Sequence, residues 1–223
     1  MSQPELLKAV IEVLTGADIP YMVTGSLASS LQGEPRSTHD IDLIVALALD
    51  QAEVLSHAFP PPDYYLSYES VREAIRQRTM FNLLDIRGGD RVDFWLLTND
   101  EFDRMRFSRR RLQRAEPVGI SINVSSPEDT ILAKLRWAQL SGGSEKHFHD
   151  ALRVYEVQHL ALDHKYLNEW AQRLGVESLW QRLQAEAENT AHPRPGEPAG
   201  RQNHDASFRI GAQRTRHFRS VTS

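Results

Sequence analysis

Leu6, Leu7, Val10, Ile11, Val13 and Leu14 recur at the three- and four-residue spacing that gathers side chains on one face of a helix, and Gly16 stands where such a helix would stop. An amphipathic helix is therefore expected over residues 4–15. The apolar run IPYMVTG (19–25) reads as a short buried strand. Gly25-Ser26 comes directly after it, and SLASSLQG (26–33) returns to helical spacing with Gly33 as its end signal, which predicts strand, tight turn and helix in succession. STHDIDLIVAL (37–47) predicts a second strand, DQAEVLSHAF (50–59) a helix closed by Pro60-Pro61-Pro62, and SVREAIRQR (70–78) one more helix. TMFNLLDIRGGDRVDFWLL (79–97) gives two strands about the Gly88-Gly89 turn, and PVGISINVSS (117–126) alternates as a further strand.

From Pro127 onward the pattern is helical. Proline in the first turn with Glu128 and Asp129 behind it is a favourable helix start. Helical stretches are expected at PEDTILAKLRWAQLSG (127–142), EKHFHDALRVYEVQ (145–158) and HKYLNEWAQRLGVESLWQRLQAEAE (164–188). The chain thus divides into an α/β domain over residues 1–125, a helical lobe over 126–188 and a basic tail over 189–223. No internal repeat is visible.

Composition narrows the class. The 223 residues are 40% hydrophobic and 25% charged, enough for one well-filled core. No apolar run approaches the roughly 20 residues needed to cross a bilayer, and the first 20 residues lack a basic start and a small-residue cleavage site, so a cytoplasmic protein with no membrane partner is expected. Cysteine is absent, which removes disulfides and thiolate chemistry and leaves oxygen or imidazole for any metal. The net charge of -4 is uneven: from Ala191 on, six arginines face Glu197 and Asp205. That tail, rich in Pro, Gly, Arg and His, is expected to be disordered.

Two acids stand out. On a strand Asp40 and Asp42 project to one face while Ile41 and Leu43 point to the other. Neighbouring carboxylates repel, and holding both ionised calls for solvent or a cation between them, for which Mg²⁺ is the natural candidate. Asp93, between Val92 and Phe94 on a predicted strand, supplies a third acid. An exposed strand edge is the bland explanation for a bare Asp-x-Asp. Upstream, Gly25 permits a sharp turn and Ser26 offers a hydroxyl and the free N–H groups of a helix start to an anion such as phosphate.

Gly25-Ser26, a short helix, Asp40-Ile41-Asp42 and the later strand acid Asp93 together resemble the DNA polymerase beta type nucleotidyltransferase superfamily, over residues 20–160. The resemblance implies a nucleotidyltransferase fold, a small mixed sheet flanked by helices, followed by a C-terminal helical lobe that completes the site. It implies that Asp40, Asp42 and Asp93 bind Mg²⁺ (or Mn²⁺), that Gly25 and Ser26 hold the β and γ phosphates of an NTP, and that Asp93 helps activate the attacking hydroxyl. SPEDTILAKLRWAQ followed by SEKHFHDALRVY is similar to the abortive-infection, AbiEii-like branch, whose members are often toxins of toxin–antitoxin pairs. There a helix lysine and a downstream aspartate complete the site; the matching positions are Lys134 and Asp150. RSTHD fits the branch's Arg-x-Thr pattern, with Arg36 either contacting phosphate or stiffening the loop.

The implied activity is Mg²⁺-dependent transfer of a nucleoside monophosphate from an NTP, ATP included, to a hydroxyl of RNA (tRNA among the candidates) or of protein, with an antitoxin as partner. A small-molecule, antibiotic-type adenylyltransferase and a non-catalytic nucleotide-binding or interaction module are the alternatives. RMRFSRRRLQR (104–114) places six arginines in eleven positions, read equally well as a phosphate-attracting patch or as a face balanced by NDEFD before it. His147 and His149 point to different faces of a helix, so they are not expected to chelate a metal together.

Overall fold

Ser2 and Glu5 cap each other, the Ser2 backbone N–H donating to Glu5 Oε2 at 2.8 Å, and so start helix α1 (Gln3–Gly16), which buries Leu6, Leu7, Val10, Ile11 and Leu14. The structure, a computed structural model, describes residues 2–35, 40–116 and 119–191. Arg36 and the tail from residue 192 lie outside them. Strand β1 (Tyr21–Thr24) runs without a loop into α2 (Gly25–Gln32), and β2 (Asp40–Val45) returns antiparallel to β1. There follow α3 (Ala52–Ala58), β3 (Tyr64–Tyr65), α4 (Tyr68–Gln77), the hairpin β4 (Met80–Asp85) and β5 (Arg91–Leu96), α5 (Glu101–Ser108), β6 (Arg111–Ala115) and β7 (Ile120–Val124). Helices α6 (Pro127–Leu140), α7 (Glu145–Gln158), α8 (His164–Arg173) and α9 (Glu177–Ala191) complete the described chain.

The strands form one mixed α/β sheet in the order β3-β4-β5-β2-β1-β7-β6. β2 pairs parallel with β5, and β1 parallel with β7; the other neighbours are antiparallel. Sequence-distant β2 and β5 therefore lie side by side at the centre. One core packs α1, α3 and α4 against the sheet through residues such as Leu7, Ile41, Leu55, Val71 and Phe94. A second is built by the last four helices around Leu132, Phe148, Leu167 and Trp180. Helix α2 is clamped between them: Gln32 Nε2 donates to the Ser125 carbonyl at 2.5 Å and Gln158 Nε2 to the Gln32 carbonyl at 2.8 Å. Among the described residues no helix is long and apolar enough to cross a membrane.

Three features add to the sequence expectation. The arginine-rich stretch forms the end of α5 and strand β6, and five of its six arginines have internal partners: Asp103 for Arg106, Glu128 and Asp129 for Arg109, the Phe107 carbonyl for Arg110, Glu128 for Arg111 and Glu116 for Arg114. The pairing with buried and neighbouring acids accounts for the cluster within the fold. The two-residue strand β3 carried no periodic signal. The stretch 164–188 is two helices, because Gly175 (φ +69°) stops α8: its N–H bonds to the Gln172 carbonyl at 3.1 Å and that of Val176 to the Ala171 carbonyl at 2.9 Å.

The start of α6 is fixed by a buried polar knot. Ser126 caps the helix by accepting from the Asp129 N–H at 3.2 Å and donates its hydroxyl to Asp129 Oδ2 at 2.7 Å. Tyr166 of α8 donates to Asp129 Oδ1 at 2.6 Å, and the Arg109 guanidinium lies 3.9 Å from the Tyr166 ring centre. Burial alone would raise the Glu128 carboxyl. The N–H groups of Glu128 and Asp163, the Ser126 hydroxyl and the Arg111 charge outweigh burial and hold it below the usual carboxylate range. Burial and the bond to Asp129 push the Tyr166 hydroxyl upward, so it remains a donor.

A depressed folded-state carboxylate contributes stability that is present above its unfolded value, here 4.5, and is lost as pH falls through the lower folded value. Urea unfolding of the wild type is therefore expected to weaken as pH drops below about 4.5, and Glu128→Gln is expected to flatten that part of the profile. An unchanged slope in the variant would show that Glu128 is not coupled to folding.

Candidate active site

β1 ends at Thr24 and α2 begins at Gly25, so the first N–H groups of the helix, which lack partners within it, lie at the end of the strand. Gly25 sits at φ +66°, and a Cβ there would lie 2.0 Å from Asp42 Oδ2. No larger residue fits this turn while Asp42 keeps its place. The sheet explains the approach: Asp42 pairs with Thr24 on one side and with Asp93 on the other. Asp42 accepts from the Ser26 backbone N–H and from the Trp95 side chain. Burial raises its carboxyl above the ordinary value, with Asp40 adding to the rise; the Lys134 charge, Trp95 and Ser26 oppose it.

Lys134 is buried, its side chain 6% exposed, which rules out the snorkelling open to a lysine between Leu132 and Leu135. Its ammonium donates to Asp150 Oδ2 at 2.6 Å and to Ser26 Oγ at 3.4 Å. Lys134 thus joins α6, α7 and α2 at one point. These residues border a cleft of about 640 Å³ whose wall includes Thr24, Gly25, Ser26, Asp42, Lys134 and His147. His149 turns away toward Glu145, at 3.9 Å, as the helical spacing predicts.

The three acids are adjacent but are not assembled as an open ligand set. Asp40 pairs across β2 and β5 with Arg91, which lies 3.2 Å from Asp40 Oδ1 through Nη2 and 3.0 Å from Asp93 Oδ1 through Nε. The second contact ties the buried Asp93 carboxylate directly to the guanidinium. Burial raises the Asp93 carboxyl, Asp42 and Asp40 add to the rise, and Arg91 opposes it. Among the described residues no three His, Asp or Glu groups form a ready metal site. A guanidinium, that of Arg91, stands among the three acids expected to share a cation. Asp42 and Asp93 nevertheless fit a divalent ion, being registered neighbours, half-buried or buried, and mutually repelling.

The structure brings together Gly25, Ser26, Asp42, Lys134 and Asp150 directly, and Asp40 with Asp93 through Arg91. Two participants escaped the sequence reading. Arg91 stands two positions before Asp93, the same-face spacing that the sequence displays, and Trp95 two positions after it.

No protein-family model and no curated protein matches the sequence. Among solved structures the chain is similar to an antigenic nucleotidyltransferase-like protein from Paracoccidioides brasiliensis, with TM-score 0.56 and 18% identity over 84% of this chain and 90% of that one. It is also similar to the antibiotic-resistance factor ANT(2'')-Ia, at TM-score 0.44 and 14% identity over 85% and 97% of the two chains. A third likeness is to the CCA-adding enzyme with CTP, at TM-score 0.35 and 15% identity, covering 84% of this chain and 52% of that one. The first of these gives the fold: a nucleotidyltransferase-like α/β sheet followed by helices.

Two stability measurements test the site's construction. Gly25→Ala combines a left-handed backbone with an overpacked contact and is expected to cost about 2–4 kcal/mol in urea unfolding, part of it recovered in the double variant with Asp42→Ala. Lys134→Met or Asp150→Leu alone leaves a buried charge unpaired, at about 3–5 kcal/mol, whereas the pair of substitutions together is expected to cost far less than their sum. Additive losses would show that the ion pair is not coupled.

Proposed function

We propose that the protein is a nucleotidyltransferase: an acceptor hydroxyl attacks the α-phosphorus of an NTP, the new ester bond forms at that phosphorus, and the bond to the β-phosphate oxygen breaks to release pyrophosphate. The observation that carries this reading is the meeting of a helix N-terminus, a buried lysine and a strand carboxylate on one cleft, with Gly25 cleared of side chain against Asp42. Ser26 and the first N–H groups of α2 hold phosphate oxygens, and Lys134 adds a point charge, oriented by Asp150. Asp42 and Asp93 would hold a divalent cation, Mg²⁺ or Mn²⁺, with Asp40 beside them; such an ion supplies charge neutralisation at the transferring phosphoryl group. Asp93, its proton affinity raised by burial and by its acidic neighbours, accepts the hydroxyl proton.

RNA, tRNA included, or protein is the acceptor in this reading, and the likeness of the α6–α7 region to AbiEii-like proteins, a matter of sequence, supports a toxin role countered by an antitoxin. A small-molecule adenylyltransferase would use the same acids and differ in the acceptor.

Incubation of the purified protein with labelled NTPs, Mg²⁺ and a cell extract is expected to transfer label to a macromolecule with release of pyrophosphate. Asp42→Ala is expected to lower transfer by at least 100-fold, on the order of the loss of a principal electrostatic group. Equal labelling by the variant would overturn the mechanism, and label confined to small products would move the acceptor to the antibiotic-type class.

A further inference from the structure

The chain has four tryptophans. Trp170 and Trp180 are 5% and 2% exposed and fill the helical core, whereas Trp95 and Trp137 are 36% and 46% exposed and both face the cleft. An indole left open costs apolar burial that the other two obtain. The two open rings meet edge to face, 6.1 Å apart and inclined at 60°. They stand on the elements that carry the charged groups. Trp95 shares the face of β5 with Asp93, about 7 Å further along the strand, and Trp137 lies one turn beyond Lys134 on α6. Across the sheet Trp95 pairs with Ile44 and Met80, which also line the cleft. The cleft thus joins charged groups at Ser26, Asp42 and Lys134 to the flat apolar faces of the indoles, and the bond from Trp95 to Asp42 links the two.

Charge separates the acceptor classes. A polycationic amino sugar needs surplus carboxylates. At the apolar end Asp103 is held by Arg106 at 2.8 Å and by the Thr98 hydroxyl at 2.5 Å, while Asp100 accepts from Arg136 at 3.3 Å. Arg78, fixed in the left-handed region at φ 52° and donating to the Leu97 carbonyl at 2.8 Å, adds positive charge to the same wall. Flat apolar rings edged by guanidinium groups suit a planar base on a phosphate chain.

We infer that Trp95 and Trp137 form a stacking platform for the unpaired terminal nucleobase of an acceptor nucleic-acid strand. This rests on the transfer reading above and deepens it, because Trp95 lies on the strand and face of Asp93, the group that takes the acceptor's proton.

The test uses the full chain and a short single-stranded RNA carrying a fluorescent label at its 5′ end, with no NTP present, so that binding is read without turnover. Trp137→Ala is expected to weaken RNA binding by roughly ten- to hundredfold, and Trp137→Phe, which keeps a ring, by far less. Trp137→Ala binding as tightly as the wild type overturns the platform. So does a variant that loses a fluorescent ATP analogue and keeps RNA, which would give the platform to the NTP base, or a wild type that prefers tobramycin to RNA. Pyrophosphate release by the wild type, measured alongside, separates the two readings: release that survives while the RNA result fails removes the platform alone, and absence of Asp42-dependent release with any acceptor removes the transfer itself.

Discussion

A buried ammonium must be neutralised, and the described fold of the helical half is arranged so that Lys134 is. Its Nζ lies 2.6 Å from Asp150 on α7 and within reach of the Ser26 hydroxyl at the start of α2. Desolvating both ions is expensive, and the attraction offsets that cost only when the geometry is close and the remaining valences are met. The pair therefore fixes how α6 and α7 lie on each other and where α2 begins relative to both. The polar knot at Ser126 and Asp129 does the same for the first turn of α6, tying it to Arg109 before β6 and Tyr166 on α8. Lys134 is thus placed from both directions, by the helix on which it rides and by the acid to which it reports.

The sheet makes the complementary placement. Parallel pairing of β2 with β5 sets Asp42 beside Asp93 and Asp40 beside Arg91, so three carboxylates and one guanidinium share a short stretch of one face. Burial disfavours ionised Asp42 and Asp93, and their proximity disfavours it further. Arg91 relieves part of that repulsion through its contacts with both Asp40 and Asp93. The balance is one that an added cation would improve.

Much of this was legible in the chain. Gly25-Ser26 between an apolar run and a helical one announced the turn, and the short apolar runs around DID and VDF, the latter behind the Gly88-Gly89 turn, put the acids on strands. What the sequence hid was tertiary. The register of β2 on β5 brings Arg91 to Asp40, and nothing local reports which strands will be neighbours. For the arginines of 104–114 the nearby acid Asp103 was legible as a partner, whereas Glu128 and Asp129, the partners of Arg109, lie further down the chain. The break at Gly175 did carry a local signal, a glycine followed by buried Val176, which the strong apolar period on both sides overrode. Arg36 lies outside the described residues.

The charges around the cleft are already committed to one another, and this shapes how the proposed transfer would run. Asp150 takes much of the Lys134 charge, and Asp42 draws on the rest. A triphosphate at Ser26 would therefore rely on the N–H groups at the start of α2, and would compete with Asp42 for that of Ser26. Conversely Asp42 and Asp93 become better anions only when positive charge arrives beside them. In the proposed transfer, nucleotide and cation would each be better held with the other present, the electrostatic form of a site that would take up a metal–nucleotide unit. The indole of Trp95 is tied to that exchange of charge through its bond to Asp42, whereas Trp137 stands one helical turn from Lys134, so base recognition at the two rings would couple the choice of molecule to the centre at which it reacts.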